Sequence, residues 1–126
     1  MRMGSAWALA GRRERALKNR ELYREAERLA AAFARDGADR VILFGSVARG
    51  TASATSDIDL VVVTPMARGQ PVGGRGRETL LGIAPRAPVD LLVYTPEEWA
   101  EMSSRPFVRR EICEGGRSLY ERGTGP

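Results

Sequence analysis

Apolar positions along the chain follow two rhythms. Between Leu17 and Arg35 they recur in helical steps. Leu22, Ala26, Leu29, Ala30 and Phe33 stand at i, i+4, i+7, i+8 and i+11, which predicts one amphipathic helix. Glu21 with Arg24, and Glu25 with Arg28, give (i, i+3) pairs expected on its exposed side. Gly37 is the expected stop. The rhythm then changes to short apolar runs, Val41–Phe44, Ile58–Thr64 and Pro88–Tyr94, which read as strands. The first run is apolar on both faces and predicts a strand covered by helix.

The segments between these runs are also legible. Gly45-Ser46 makes a turn, Val47 to Gly50 one helical turn, and 51–56 a small polar loop. Pro65 ends the second strand. Residues 65–77 hold two prolines, four glycines and three arginines, and are expected as a mobile surface loop. Gly73-Gly74-Arg75-Gly76 within it has the composition of a phosphate nest, with a plain linker as the preferred reading. A short helix is expected over Glu78 to Ala84. Thr95-Pro96-Glu97-Glu98 carries a cap, a proline at the first helical position and the glutamate of a capping box. That helix should turn Trp99 and Met102 inward and end before Pro106. A further helix is expected from Phe107 to Glu114, closed by Gly115-Gly116, then a short edge strand at Ser118–Tyr120. Residues 1–16 are weakly specified, so the expected domain is 17–122.

Composition narrows the chemistry. At 126 residues, 43% hydrophobic and 29% charged, the chain suits one soluble globular domain. No apolar run approaches the ~20 residues needed to cross a bilayer. The Ala6–Ala10 patch is too short for a signal-peptide core. The single cysteine, Cys113, excludes an internal disulfide and fits a reducing cytoplasm; it is expected as a small buried hydrophobe. Histidine is absent, which removes Ser-His-Asp triads and the usual zinc sites. The net charge of +4 is concentrated at one end. Residues 1–40 carry ten Lys/Arg against six Asp/Glu, and the remainder carries ten of each. The densest stretch is Arg12, Arg13, Arg15, Lys18 and Arg20. No aromatic residue is interleaved there for stacking, so a solvated helix face is expected in preference to a nucleic-acid site.

The chemistry is carried by aspartates in places that disfavour them. Asp57 and Asp59 head the second apolar run, and Asp lowers strand propensity. Residues i and i+2 of a strand share a face, so both carboxylates should project together, about 7 Å apart at Cα. Asp90 interrupts the third run, and neighbouring short strands usually pair. Three converging carboxylates repel unless a cation lies between them. Hard oxygen ligands suit Mg²⁺, and two such ions can clamp the oxygens of a phosphoryl or nucleotidyl transfer. Gly45 would let backbone approach a phosphate, Ser46 adds a hydroxyl, and Arg49 a positive group.

Phe44-Gly45-Ser46-Val47-Ala48-Arg49-Gly50, then Ser56-Asp57-Ile58-Asp59-Leu60, then Val89-Asp90-Leu91-Leu92-Val93 resembles the signature of the DNA polymerase β-like nucleotidyltransferase superfamily. It looks most like the minimal nucleotidyltransferases, the MntA-like antitoxin group. The resemblance covers roughly residues 17–122. It implies an α/β (α+β) fold, a small mixed sheet flanked by helices. It also implies that Asp57, Asp59 and Asp90 bind Mg²⁺, with Asp90 assisting deprotonation of the acceptor hydroxyl. Gly45 and Ser46 would hold the β/γ-phosphates of ATP, and Arg49 is typical of the family. A C-terminal helical domain like that of larger relatives is not expected. The implied partner is a small helical HEPN ribonuclease, silenced by transfer of AMP to a tyrosine hydroxyl in a cytoplasmic toxin–antitoxin pair. The expected assembly is a homo- or hetero-oligomer. A non-catalytic antitoxin and an aminoglycoside-type small-molecule enzyme are the alternatives.

Overall fold

The computed structural model describes the backbone of residues 3–123 and the side chains of residues 11–123. Helix α1 spans Met3–Arg35, starting well before the expected Leu17. Leu22, Ala26, Leu29, Ala30 and Phe33 are all buried, as the helical rhythm requires. Gly37 ends the helix at φ +98°, and the Ala38 N–H reaches back to the Phe33 carbonyl at 3.0 Å. Strand β1 (Arg40–Phe44) then enters α2 (Gly45–Arg49), which Gly50 closes in the left-handed conformation. Strand β2 is Ile58–Val63, helix α3 Arg77–Ile83 and strand β3 Val89–Tyr94.

Helix α4 (Pro96–Met102) starts on the expected capping box, with Thr95 Oγ1 accepting from Glu98 N–H at 3.1 Å and Glu98 Oε1 accepting from Thr95 N–H at 2.8 Å. The expected helix from 107 to 114 is instead one α-turn, α5 (Pro106–Val108), that widens into a π-helix over Arg109–Glu114. Gly116 follows because a Cβ there would lie 2.9 Å from the Leu43 carbonyl. Strand β4 (Arg117–Glu121) completes the sheet.

The sheet is mixed, in the order β3-β2-β1-β4. Strand β1 runs antiparallel to β2 and β4, and β2 runs parallel to β3. Alternation along the strands separates two apolar clusters. Val41, Leu43, Ile58, Leu60, Val62 and Val93 pack on one face against α1. Ile42, Val61 and Val63 pack on the other against Trp99, Val108 and Ile112. Trp99 is buried and Met102 partly so, as expected. Among the described residues no helix is long and apolar enough to cross a membrane.

Three local expectations change. Cys113 is exposed, because the π-helix turns Ile112 inward and Cys113 outward. The segment 65–77, expected as a mobile loop, opens with a 3-10 turn (Pro65–Ala67) and is fastened by Arg75. That guanidinium is 7% exposed; it donates to the Val93 carbonyl at 3.3 Å, the Gln70 carbonyl at 2.8 Å and Glu98 Oε1 at 2.6 Å. Gly76 is also committed to packing, since a Cβ there would meet Leu91, Val93 and Phe33. Finally, Glu25 of the Glu25–Arg28 pair is turned away from solvent, while Arg28 stays partly exposed. Glu25 is 7% exposed and faces the connection between α3 and β3.

Candidate active site

The site lies where β1 ends and β2 and β3 begin. Parallel pairing sets Asp59 opposite Asp90, about 4.8 Å apart in the hydrogen-bonding direction. Antiparallel pairing sets Phe44 opposite Asp59, so the turn after β1 starts beside that carboxylate. Asp57 precedes β2 by one residue and by alternation faces the same side. All three belong to the face that carries Ile42, Val61 and Trp99 further along the strands. Asp57 and Asp90 are exposed, and Asp59 is half-buried.

Gly45 is fixed by this arrangement. It opens α2 at φ +74°, where an L side chain is strained. A Cβ at this position would also be driven into Asp59 Oδ2 and would lie 3.0 Å from Asp59 Cγ. The Gly-Ser turn and the second aspartate therefore share one small volume. Ser46 is half-buried in the first turn of α2, and its carbonyl accepts from the Thr51 N–H at 2.9 Å. Asn19 of α1 holds this segment from the other side. Its Nδ2 donates to the Val47 carbonyl at 3.2 Å, and its Oδ1 accepts from the Ala52 N–H at 2.9 Å.

The electrostatics are those of an uncompensated anionic site. Burial pushes the Asp59 carboxyl above its ordinary pKa, and the charges of Asp90 and Asp57 add to the rise. Arg49 opposes the shift without cancelling it. That arginine is exposed, and its Nη1 stands 3.7 Å from Glu111 Oε2 in the π-helix. Among the described residues no group of three His, Cys, Asp or Glu is already arranged to hold a metal ion. The donor chemistry nevertheless fits a hard divalent cation: carboxylates only, mutually repelling, one of them half-buried without an adequate counter-charge.

The structure thus brings Asp57, Asp59, Asp90, Gly45, Ser46 and Arg49 to one end of the sheet. It adds three residues that the sequence did not reveal. Glu111 meets Arg49 from within the π-helix, for which no sequence signal was read. Asn19 could have been found as the polar member of the apolar stripe, three residues before Leu22. Glu25 sits three residues after Leu22 on the same stripe, which marks it as inward-facing. Its carboxylate is gripped by Arg28 Nε at 2.7 Å and Nη2 at 2.8 Å, and accepts from the Arg86 N–H at 2.7 Å. Arg28 in turn donates to the carbonyls of Ile83 at 3.1 Å and Ala84 at 3.2 Å. Ala84 is strained at φ +54°. This clamp fixes the connection that delivers Asp90.

Residues 26–117 match the family model of the nucleotidyltransferase domain. The chain belongs to the nucleotidyltransferase domain family. Among solved structures, the domain is similar to a candidate nucleotidyltransferase from Sulfolobus solfataricus, with 23% identity and a TM-score of 0.61 over 88% of this chain and 91% of that one. A toxin–antitoxin structure with AMP-PNP contains a chain similar at 22% identity and a TM-score of 0.53, over 77% of this chain and 74% of that one. At such identities these likenesses speak for the fold. No curated protein matches the domain at a significant level.

Proposed function

We propose that this domain is a Mg²⁺-dependent nucleotidyltransferase of the minimal, MntA-like type. It moves AMP from ATP to a hydroxyl of a partner protein, a HEPN-type helical ribonuclease that it silences as an antitoxin. The observation that carries the reading is the register of Asp59 opposite Asp90, with Gly45 packed against Asp59. The toxin–antitoxin neighbour with AMP-PNP supports a partner protein and an adenine nucleotide.

Asp57, Asp59 and Asp90 would hold the metal. When bound, Mg²⁺ supplies the positive charge that these carboxylates lack and orients the triphosphate. Gly45 leaves backbone space for the β/γ-phosphates, and Ser46 adds a hydroxyl donor to them. Arg49, drawn by Glu111 on one side and Asp59 on the other, stands ready to meet phosphate charge. Asp90, exposed at the rim, accepts the proton of the incoming hydroxyl. The hydroxyl oxygen bonds to the α-phosphorus as the bond to the pyrophosphate oxygen breaks.

The test is incubation of the domain with labelled ATP, Mg²⁺ and the product of the adjacent gene. Label should appear on that product and disappear with Asp57→Asn. Absent label with the wild-type protein would sink the reading. Neutralisation that survives Asp57→Asn without label would favour an antitoxin acting by contact alone.

A further inference from the structure

The carboxylate face of the sheet carries a second recess. It lies between β1, the end of α4 and the π-helix, with a volume of about 350 Å³. Buried Ile42, Trp99 and Ile112 line it, together with Arg40, Arg109, Cys113 and Ser118. Arg40 stands four residues before Phe44 on β1, and Phe44 is the residue paired with Asp59. The recess is therefore about 13 Å along the strand from the catalytic end.

Its donors are incompletely answered. Arg40 Nε is buried and has no hydrogen-bond partner among the described residues. It lies 3.9 Å from Oε1 of Glu121, its cross-strand neighbour, which is too far for a hydrogen bond. Arg109 Nε stands 3.6 Å from Glu114 Oε1, also beyond that reach. Buried donors are almost always paired in native proteins, so an orphan on a guanidinium marks a missing acceptor. Water could serve the one nitrogen, but it brings no charge to two guanidiniums. Ser103 and Ser104, which also line the recess, donate to the carbonyls of Ala100 at 3.3 Å and Glu101 at 2.9 Å. These bonds take up carbonyls at the end of α4, the helix end that repels anions. The π-helix is the other unusual feature, since such turns are rare and concentrate at functional sites. This one brings Arg109 and Cys113 to the recess and Glu111 to Arg49.

We infer that this recess is a binding site for a phosphate group, separate from the candidate active site. Arg40 comes from β1 and Arg109 from the π-helix, so one anion has to bridge donors on two elements. A tetrahedral oxyanion offers oxygens in diverging directions, which a planar carboxylate does not. The guanidinium fork suits phosphate, and the anion would supply the acceptor that Arg40 Nε lacks. Glu114 and Glu121 compete for the same cations from beyond hydrogen-bond distance. Bound phosphate would pin the π-helix to β1, and with it the Glu111 that meets Arg49. The recess would serve a phosphate whatever reaction the three aspartates carry out.

Cys113 makes the site readable, because it is the only cysteine, is exposed and lines the recess. The full-length protein, free of metal and nucleotide, is alkylated with neutral iodoacetamide and followed by mass spectrometry. Inorganic phosphate is compared with chloride at equal ionic strength. The rate should fall about tenfold when phosphate reaches about ten times its Kd, in step with the unoccupied fraction. Arg40→Gln and Arg109→Gln should each raise that Kd about tenfold. Arg109 is 70% exposed, so its replacement tests the site even if Arg40→Gln fails to fold. Glu114→Gln should lower the Kd by removing a competing acid, and Arg49→Gln should leave protection unchanged. Equal protection by glycerol phosphate would assign a phosphate carried on a larger molecule, and protection by inorganic phosphate alone the free ion; both uphold the site. Three outcomes overturn it: one alkylation rate in phosphate and chloride; undiminished protection in Arg109→Gln; or protection lost in Arg49→Gln, which would move the anion to the catalytic end.

Discussion

Glu25 and Asp59 are both carboxylates withdrawn from water, on opposite faces of one sheet, and their fates are opposite. The hydrogen bonds from Arg28 hold Glu25 below its ordinary pKa, and the Arg86 N–H adds to the effect in spite of burial. Asp59 is pushed up, by burial first and then by Asp90 and Asp57. The protein supplies Glu25 with a bidentate cation and a backbone donor. It supplies Asp59 with two like charges and a distant arginine. A carboxylate whose lone pairs are satisfied internally holds the fold together. One left in repulsion has its complement outside the chain.

The largest effect should come from breaking the Asp59 side of this contrast. Asp59→Asn should lower AMP transfer by about 10²–10³-fold, the scale of losing one preorganised electrostatic group. The same change should raise the melting temperature of the metal-free protein, since it removes a repelling charge. Transfer at the wild-type rate would take Asp59 out of the chemistry. Gly45→Ala comes next. Its backbone strain costs about 1–2 kcal/mol, and displacement of the Asp59 carboxylate should cost about 10²-fold in transfer. Calorimetry and the labelled-ATP assay separate the two contributions.

Breaking the other side should show mainly in stability. Glu25→Gln should destabilise by about 2 kcal/mol in urea unfolding, because it weakens the charge-assisted hydrogen bonds of a buried carboxylate. Transfer should fall less than with Gly45→Ala, and only through looser delivery of Asp90. Equal stability to wild type would show that the clamp is dispensable.

The smallest effect is on pH. Asp59 has a raised folded pKa, so its native form keeps a proton that the unfolded chain has released. Metal-free stability should therefore fall as pH rises from 3.8 through that raised value. Glu25 acts in reverse. Its contribution is present above 4.5 and lost as pH falls through its lowered folded value. Thermal melts across acid pH should lose the first slope in Asp59→Asn and the second in Glu25→Gln. The reverse assignment would invert the comparison.

What could be read from sequence depended on whether the cause was local. The strands, the Gly37 stop and the Thr95–Glu98 box each follow from a few adjacent residues. The meeting of Asp59 with Asp90 was reached from β-strand alternation and neighbour pairing. Glu25 was misplaced because an (i, i+3) ion pair looks alike on a wet face and on a dry one. Arg75 finds Val93 and Glu98 only once the sheet exists, so composition alone suggested a free loop. Cys113 and Glu111 both sit in the π-turn: Cys113, expected as a small buried hydrophobe, is exposed there, and no local pattern pointed to a meeting of Glu111 with Arg49.

The parallel pairing of β2 with β3 has a kinetic side. Asp59 and Asp90 are distant in sequence and meet only when that ladder closes, whereas β1 and β2 are joined by a shorter connection. Non-local pairs close late, and this one must close against like charge. The β2–β3 ladder is therefore the part of the sheet whose zipping a divalent cation should hasten. Amide exchange along Asp59–Val61 should slow when Mg²⁺ is added, and equal protection with and without it would detach assembly of the sheet from the ion.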